Sequence, residues 1–221
     1  MRYLIEGEII RSENAAKSYK QKSKFVSNYL RTRPSSNRVM DFGCGKLRYS
    51  DEIVSISKQV VFLDSDLQLS RNQMVRGVST SVAEYVSMHY AHAQILSFES
   101  AVAQGIHSCF DFINCSNVLS AIPCVDYLQS ALCIIYSALQ GGGEALFVNQ
   151  FRCSSFSKFE SGRRHMYGYI YKGRLGYTYY GVMTNDVVVD LLVPLGFEVV
   201  NVWSEEDVGF VLVRRPHTVI A

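Results

Sequence analysis

Short apolar runs alternate along this chain with segments whose apolar residues recur at intervals of three and four. RVMDF (residues 38–42), QVVFLD (59–64), AQIL (93–96), FDFINCS (110–116) and EALFVNQF (144–151) read as five buried strands. Between them, residues 49–57 predict a helix, and residues 67–90 read as mostly helical with the weakest periodicity in the chain. Pro123 opens a further helix carrying Val125, Leu128, Leu132, Ile135 and Leu139, which Gly141-Gly142-Gly143 is expected to end. Thr184 is placed to cap another helix, with Asp186 in its first turn. GFEVVNVW (196–203) and FVLVRR (210–215) close the chain as two strands. At the start, Ala15, Tyr19, Phe25, Val26, Tyr29 and Leu30 are loosely spaced as on a helix, so residues 1–37 read as a helical segment broken by Pro34-Ser35-Ser36-Asn37.

Strands alternating with helices predict a doubly wound α/β sheet, mostly parallel and covered on both faces. The last two strands are joined only by SEEDVG, too short for a crossover, so one antiparallel strand is expected near the C-terminus. The 221 residues fit a single domain. No apolar run approaches the ~20 residues of a membrane span, and the first twenty residues lack the apolar core of a secretory signal. The six cysteines form no CxxC pair and no zinc-like spacing with histidine. His89, His92 and His107 are not spaced as ligands, so no metal is expected, and the expected location is the cytoplasm.

The chemistry centres on VMDFGCGKLRYS (39–50). Gly43 and Gly45 fall between a strand and a helix, at the carboxyl end of the strand, where doubly wound sheets bind ligands. Asp64 ends the next strand, where a carboxylate can accept both hydroxyls of a ribose. A dinucleotide loop needs a third glycine so that its helix can pack closely, and here that position is Arg48. Asp41, two residues before the first glycine, would repel a pyrophosphate but attract an ammonium. Asp66 is read as a helix cap.

With these features the chain resembles the class I S-adenosylmethionine-dependent methyltransferases. DFGCGKLR is similar to their first motif and VVFLDSD to their second. FDFINCSNVLSAIP, LQGGGEALFVNQF and TNDVVVDLLVPLGFEVVNVW resemble their later segments. The resemblance covers roughly residues 38–150 and 182–215. It implies a Rossmann-like methyltransferase sheet, S-adenosyl-L-methionine as cofactor and S-adenosyl-L-homocysteine as product. By the same resemblance Gly43 and Gly45 line the methionine portion, Asp41 orients its amino group, Asp64 holds the ribose and Ser65 flanks the adenine. Ser116 and Asn117 face the sulfonium side, and Tyr19 closes over the cofactor from the N-terminal segment. The family often carries an acid after its third strand. Here HAQILSF puts His92 there, so the adenine contact is assigned to Ala93 and Gln94.

Charge adds one further feature. Residues 1–38 hold nine Lys/Arg against three Asp/Glu, and residues 151–181 hold six against one, while the chain as a whole is only +2. Residues 151–181 also contain six tyrosines and are too long for a plain crossover. MYGYIYKGRLGYTYYG within them predicts a β-hairpin turning at Lys172-Gly173 or Arg174. The segment reads as a lid-like insert whose field attracts an anionic substrate, with Arg163, Arg164, Tyr167, Lys172 and Arg174 as substrate contacts. Methyl transfer needs alignment and desolvation more than a base. If a base is required, His165 is the candidate. The expected activity is methylation at O or N of a small or anionic acceptor. An RNA-modifying enzyme, or a weakly catalytic subunit that binds a partner protein, stays open as an alternative. The Asn/Asp-Pro-Pro-aromatic sequence of amino-methylating DNA enzymes is absent after the fourth strand, where Asn117-Val118-Leu119-Ser120 stands, so nucleic acid is not favoured.

Overall fold

The structure is a computed structural model that describes residues 1–150 and 156–217, Gln150 by its backbone alone. The first five residues of the lid-like insert therefore lie outside the described residues. The chain opens with β1 (Arg2–Ile5) and β2 (Glu8–Arg11), followed by a 3-10 turn (Ser12–Ala15) and α1 (Lys24–Thr32). Next come β3 (Ser36–Phe42), α2 (Ser50–Ser55), β4 (Ser57–Asp64), α3 (Asp66–Ser70), the separate two-stranded hairpin β5 (Gln73–Val75) and β6 (Val78–Thr80), α4 (Val82–His89), β7 (Ala93–Ser97) and α5 (Phe98–Gln104). They are followed by β8 (Phe110–Ser116), α6 (Val125–Ala138) and β9 (Leu139–Gln150). After it come β10 (Arg163–His165), β11 (Gly168–Gly173), β12 (Gly176–Gly181), α7 (Asn185–Leu192), β13 (Glu198–Glu205) and β14 (Val208–Arg214).

The main sheet has seven strands in the order β13-β14-β9-β8-β3-β4-β7. β3 pairs in parallel with both β4 and β8, so the strand order reverses between β3 and β8. β14 is the reversed strand, antiparallel to both β9 and β13, as the short last turn requires. Apolar side chains fill both faces. Met40, Phe42 and Ile113 pack toward α5 and α6, while Val39, Phe62 and Phe112 pack toward α1, α2 and α4. This double burial explains why the central strands read as unbroken apolar runs.

Four expectations need correction. Residues 1–11 are a hairpin, not a helix. Tyr3 and Ile10 are buried while Leu4 and Ile9 are exposed, a period of two, and Glu6 and Gly7 turn the chain at φ 49° and 81°. Residues 67–90 hold the β5–β6 hairpin as well as helix. The glycine triplet does not end α6. Leu139 is already extended and the glycines belong to β9, where Gly143 lies so close to β8 that a Cβ would stand 2.8 Å from the Phe110 carbonyl oxygen. Asp66 does not cap α3; Ser65 does, its hydroxyl accepting from the Gln68 N–H.

A second sheet has the order β1-β2-β12-β11-β10. It joins the N-terminal hairpin to the tyrosine-rich insert through a parallel contact of Tyr177 with Ile10. The insert is a hairpin as expected, with Gly173 opposite Gly176 and Arg174-Leu175 as its two-residue loop. Its buried face, with Ile170 and Tyr179, packs with Tyr3 and Ile10 on the core. Lys22, just before α1, and Arg31, in its last turn, both pair with the fully buried Glu52 of α2 and tie this region down.

Candidate functional site

A cavity opens at the carboxyl ends of β3, β4 and β8, at the reversal of strand order, and holds about 1010 Å³ of empty space, part of it open to solvent. Its floor is the loop after β3. The Gly43 and Cys44 N–H groups donate to the Leu63 carbonyl at 2.7 and 3.0 Å, which folds the loop back over β4. Gly43 and Gly45 take left-handed backbone, φ 74° and 58°. A Cβ on Gly43 would stand 2.2 Å from Val118 Cγ2, so only glycine fits this close approach.

Two carboxylates flank the loop. Asp64 Oδ2 accepts from the Gly45 N–H at 2.9 Å and Oδ1 from the Ser65 N–H at 2.7 Å. Burial nevertheless raises its pKa above the ordinary carboxylate value. Asp41 is 4% exposed, and Oδ1 accepts from Asn114 Nδ2 at 2.7 Å. Asn114 Oδ1 in turn accepts from Ser116 Oγ at 2.8 Å, so a buried polar chain runs from β3 across β8 to the cavity wall. Burial pushes Asp41 up to about 7, against the hydrogen bond from Asn114 and the nearby Arg48 guanidinium. Arg48 itself is buried, with its guanidinium over the Tyr49 ring at 4.7 Å.

The fold brings together Asp41, Gly43, Gly45, Asp64 and Ser65, and adds Ser116 and Asn117 from the end of β8. It does not bring in Ala93 and Gln94. They begin β7, opposite Val60 and Val61, whereas Ser97 at the far end stands level with Asp64. At ~3.3 Å per residue, four positions displace a residue by ~13 Å, from the ligand end of the sheet to its base. The cavity wall instead receives Phe98. Tyr19 lies in a turn beside the β5–β6 hairpin, under the Arg76 guanidinium at 5.2 Å, and is not among the residues lining the cavity.

The expected substrate contacts are also placed elsewhere. Arg163 pairs with Glu6 and Glu8, Arg164 lies over Tyr169 and Lys172 over Tyr177. Arg174 is exposed in the hairpin loop, and Tyr167 packs against the core. His165 bonds through Nε2 to the Pro123 carbonyl at 2.8 Å and meets the Tyr179 ring edge-on. None of these residues lines the cavity. Its lid wall comes from the N-terminal hairpin and the segment after it, with Tyr3, Ser12, Glu13 and Lys17.

Sequence reasoning missed Asn114, Gln68 and Glu13. Asn114 had a signal, as an amide inside a strand otherwise apolar on both faces. Gln68, whose Nε2 donates to the Gly45 carbonyl at 2.7 Å, had none, and neither did Glu13.

The strand order, with its one reversed strand near the C-terminus, is that of the Rossmann-like fold found in class I S-adenosylmethionine-dependent methyltransferases. A SAM-dependent methyltransferase of Methanosarcina mazei superimposes with a TM-score of 0.60 at 16% identity, over 89% of this chain and 99% of that one. The 1,6-didemethyltoxoflavin-N1-methyltransferase of Burkholderia thailandensis, solved with S-adenosylhomocysteine, gives 0.59 at 15% identity, over 87% of this chain and 77% of that one. No family model matches the sequence. The chain is 42% identical over 213 residues to the uncharacterized protein YmfD of Escherichia coli K12, covering 96% of each, and it belongs to the YmfD family. Among the described residues, no helix is long and apolar enough to cross a membrane.

Proposed function

We propose that the chain is an S-adenosyl-L-methionine-dependent methyltransferase acting at O or N of a small-molecule acceptor. One observation carries this reading. Asp41 and Asp64, at the ends of adjacent parallel strands, open into one cavity on either side of a glycine loop in left-handed backbone. The residues fit the cofactor. Gly43 and Gly45 present left-handed backbone rather than side chains to the cavity, Asp41 is a buried carboxylate suited to an ammonium, and Asp64 already faces donors with both oxygens. When bound, the cofactor supplies an electrophilic methyl group on a sulfonium.

The chain's own residues bind and orient. Asp41 holds the amino group, with Asn114 fixing its carboxylate. Asp64 accepts from the ribose, and Phe98, Ile122 and Tyr127 form an apolar wall for the base. The N-terminal lid excludes water, which strengthens each polar contact inside. His165 is given no role in the chemistry, because its ring is held at the Pro123 carbonyl. An anionic acceptor group would meet Lys17 and Lys46 in the cavity wall rather than the cations of the insert.

The test is titration calorimetry with S-adenosylhomocysteine, followed by transfer of tritium label from S-adenosylmethionine into a cell extract split into protein, nucleic-acid and small-molecule fractions. Label in the small-molecule fraction, lost in Asp64→Ala, is the expected result. Label in nucleic acid would reassign the acceptor to RNA. Binding without label would favour a subunit that needs a partner protein. Absence of binding would overturn the reading.

A further inference from the structure

Glu13 is a carboxylate that the fold's own site does not use. It stands in the 3-10 turn after β2, is 5% exposed, and lines the cavity from the lid side. Its Oε1 accepts from Arg2 Nε at 2.9 Å. Its Oε2 is enclosed and receives no hydrogen bond; the Met1 amino group is 3.9 Å away. A buried carboxylate oxygen without a hydrogen-bond donor is costly, and because Glu13 belongs to the cavity wall, a ligand hydrogen there would supply the missing donor.

The neighbours of this oxygen say which part of a ligand it meets. The same Met1 amino group donates to Ser65 Oγ at 2.8 Å, and Ser65 follows Asp64. The orphan oxygen therefore belongs to the β4 side of the cavity, not to the Asp41–Asn114 side. Phe98 stands on that side too, since Ser97 is level with Asp64. Its ring lies 6.3 Å from Tyr127, which meets Tyr3 of the lid edge-on at 5.2 Å. Glu13 thus borders a slot walled by aromatic rings. β7 itself ends in Ser97, and Glu99, the next acid, is exposed, accepts from the Asp66 N–H at 2.9 Å and is not among the residues lining the cavity.

We infer that Glu13 is a cofactor-binding residue contributed by the lid, its Oε2 accepting a hydrogen bond from the nucleoside half of the ligand. This rests on the methyltransferase reading. The donor is the exocyclic amino group of the base or a ribose hydroxyl. The Glu13 main-chain oxygen accepts from Arg71 Nη2 at 2.9 Å, which fixes the turn against the end of α3. Ligand binding therefore ties the N-terminal hairpin to the core.

Calorimetry on the full chain tests this with two probes, S-adenosylhomocysteine and 5′-methylthioadenosine, which lacks the amino-acid portion. Glu13→Gln is expected to weaken both by about 10- to 100-fold, the range for a hydrogen bond to a charged group. Asp41→Asn should weaken S-adenosylhomocysteine alone. Arg2→Ala, which removes the lid ion pair and keeps the carboxylate, should change either affinity less than about threefold. Glu13→Asp, which keeps the charge but draws it back, should fall between wild type and Glu13→Gln and serves if the glutamine variant does not fold.

S-inosylhomocysteine, without the amino group, identifies the donor. If the wild-type preference for the adenosyl ligand vanishes in Glu13→Gln, the amino group is the partner; if it persists while affinity drops, a ribose hydroxyl is. Unchanged affinity for both probes in Glu13→Gln overturns the inference, as does full reproduction of the loss by Arg2→Ala. Failure of the wild type to bind either probe overturns the methyltransferase reading itself.

Discussion

The Asn114 side-chain amide donates to the Asp41 carboxylate at 2.7 Å, from one parallel strand to the next, with both residues sealed from solvent. The pairing orients the carboxylate toward the cavity but does not offset its burial. Asp41 consequently holds its proton up to about 7, against an ordinary value of 3.8. In the unfolded chain it would ionise near its ordinary value. Its contribution therefore stabilises the ligand-free fold fully below about pH 4 and is lost as pH rises through 7.

Ligand binding should run the other way. An ammonium beside Asp41 favours the ionised form, so binding below pH 7 releases a proton. Affinity for S-adenosylhomocysteine is expected to rise by up to ~10-fold per pH unit from 5.5 to 7 and then level off. Calorimetry in buffers of different ionisation enthalpy would measure the proton directly, and Asp41→Asn should flatten the profile. A slope that survives in that variant would move the titration to Asp64, whose pKa burial also raises.

Gly43→Ala is expected to cost about 1–3 kcal/mol, because a Cβ would be forced into left-handed backbone and onto Val118. Gly45→Ala should cost less, since its Cβ would meet the Ala16 Cβ at an ordinary 3.6 Å. Chemical denaturation of the two variants side by side checks the ranking. Equal losses would show that Val118 yields and that the close approach at Gly43 is not limiting.

Glu52→Ala should be among the most damaging substitutions outside the cavity. It removes the buried carboxylate shared by Lys22, which is part-buried, and Arg31, which is largely exposed, and losing hydrogen bonds to such a charged group costs about 1.5–3 kcal/mol. The loss should be registered as a lower denaturation midpoint with an unchanged slope. A loss under about 1 kcal/mol would place the pair in the class of surface bridges.

On the proposed function, His165→Asn should leave the rate of methyl transfer and its pH profile near those of the wild type. Its measurable effect should be on the lid, through the hydrogen bond to Pro123, as a stability loss of about 0.5–1.5 kcal/mol. A large fall in kcat with stability intact would return His165 to the chemistry.

The sheet was legible because parallel strands are buried on both faces. QVVFLD and FDFINCS have no other economical reading, and their order with the glycine loop located Asp41 and Asp64 correctly on the cavity. Ala93 and Gln94 were placed at the wrong end because AQIL continues through Ser97, and a short strand carries no mark of where it stops. The N-terminal hairpin was hidden by a chance spacing of Ala15, Tyr19 and Phe25, while Tyr3 and Ile10 alternate over too few residues to stand out. The lid cations were visible as composition, but which way they face depends on the pairing of β12 with β2 and on the acids Glu6 and Glu8, which no local pattern encodes.

That strand pairing also sets a timetable. β2 lies near the beginning of the chain and β12 close to residue 181, so the second sheet can assemble only after most of the polypeptide has been made. The central strands β3, β4 and β8 are complete well before then. A growing chain thus passes through a stage in which the glycine loop and both aspartates exist without a finished roof. Contacts so distant in sequence form slowly, so the closing of the cavity should follow the building of its floor.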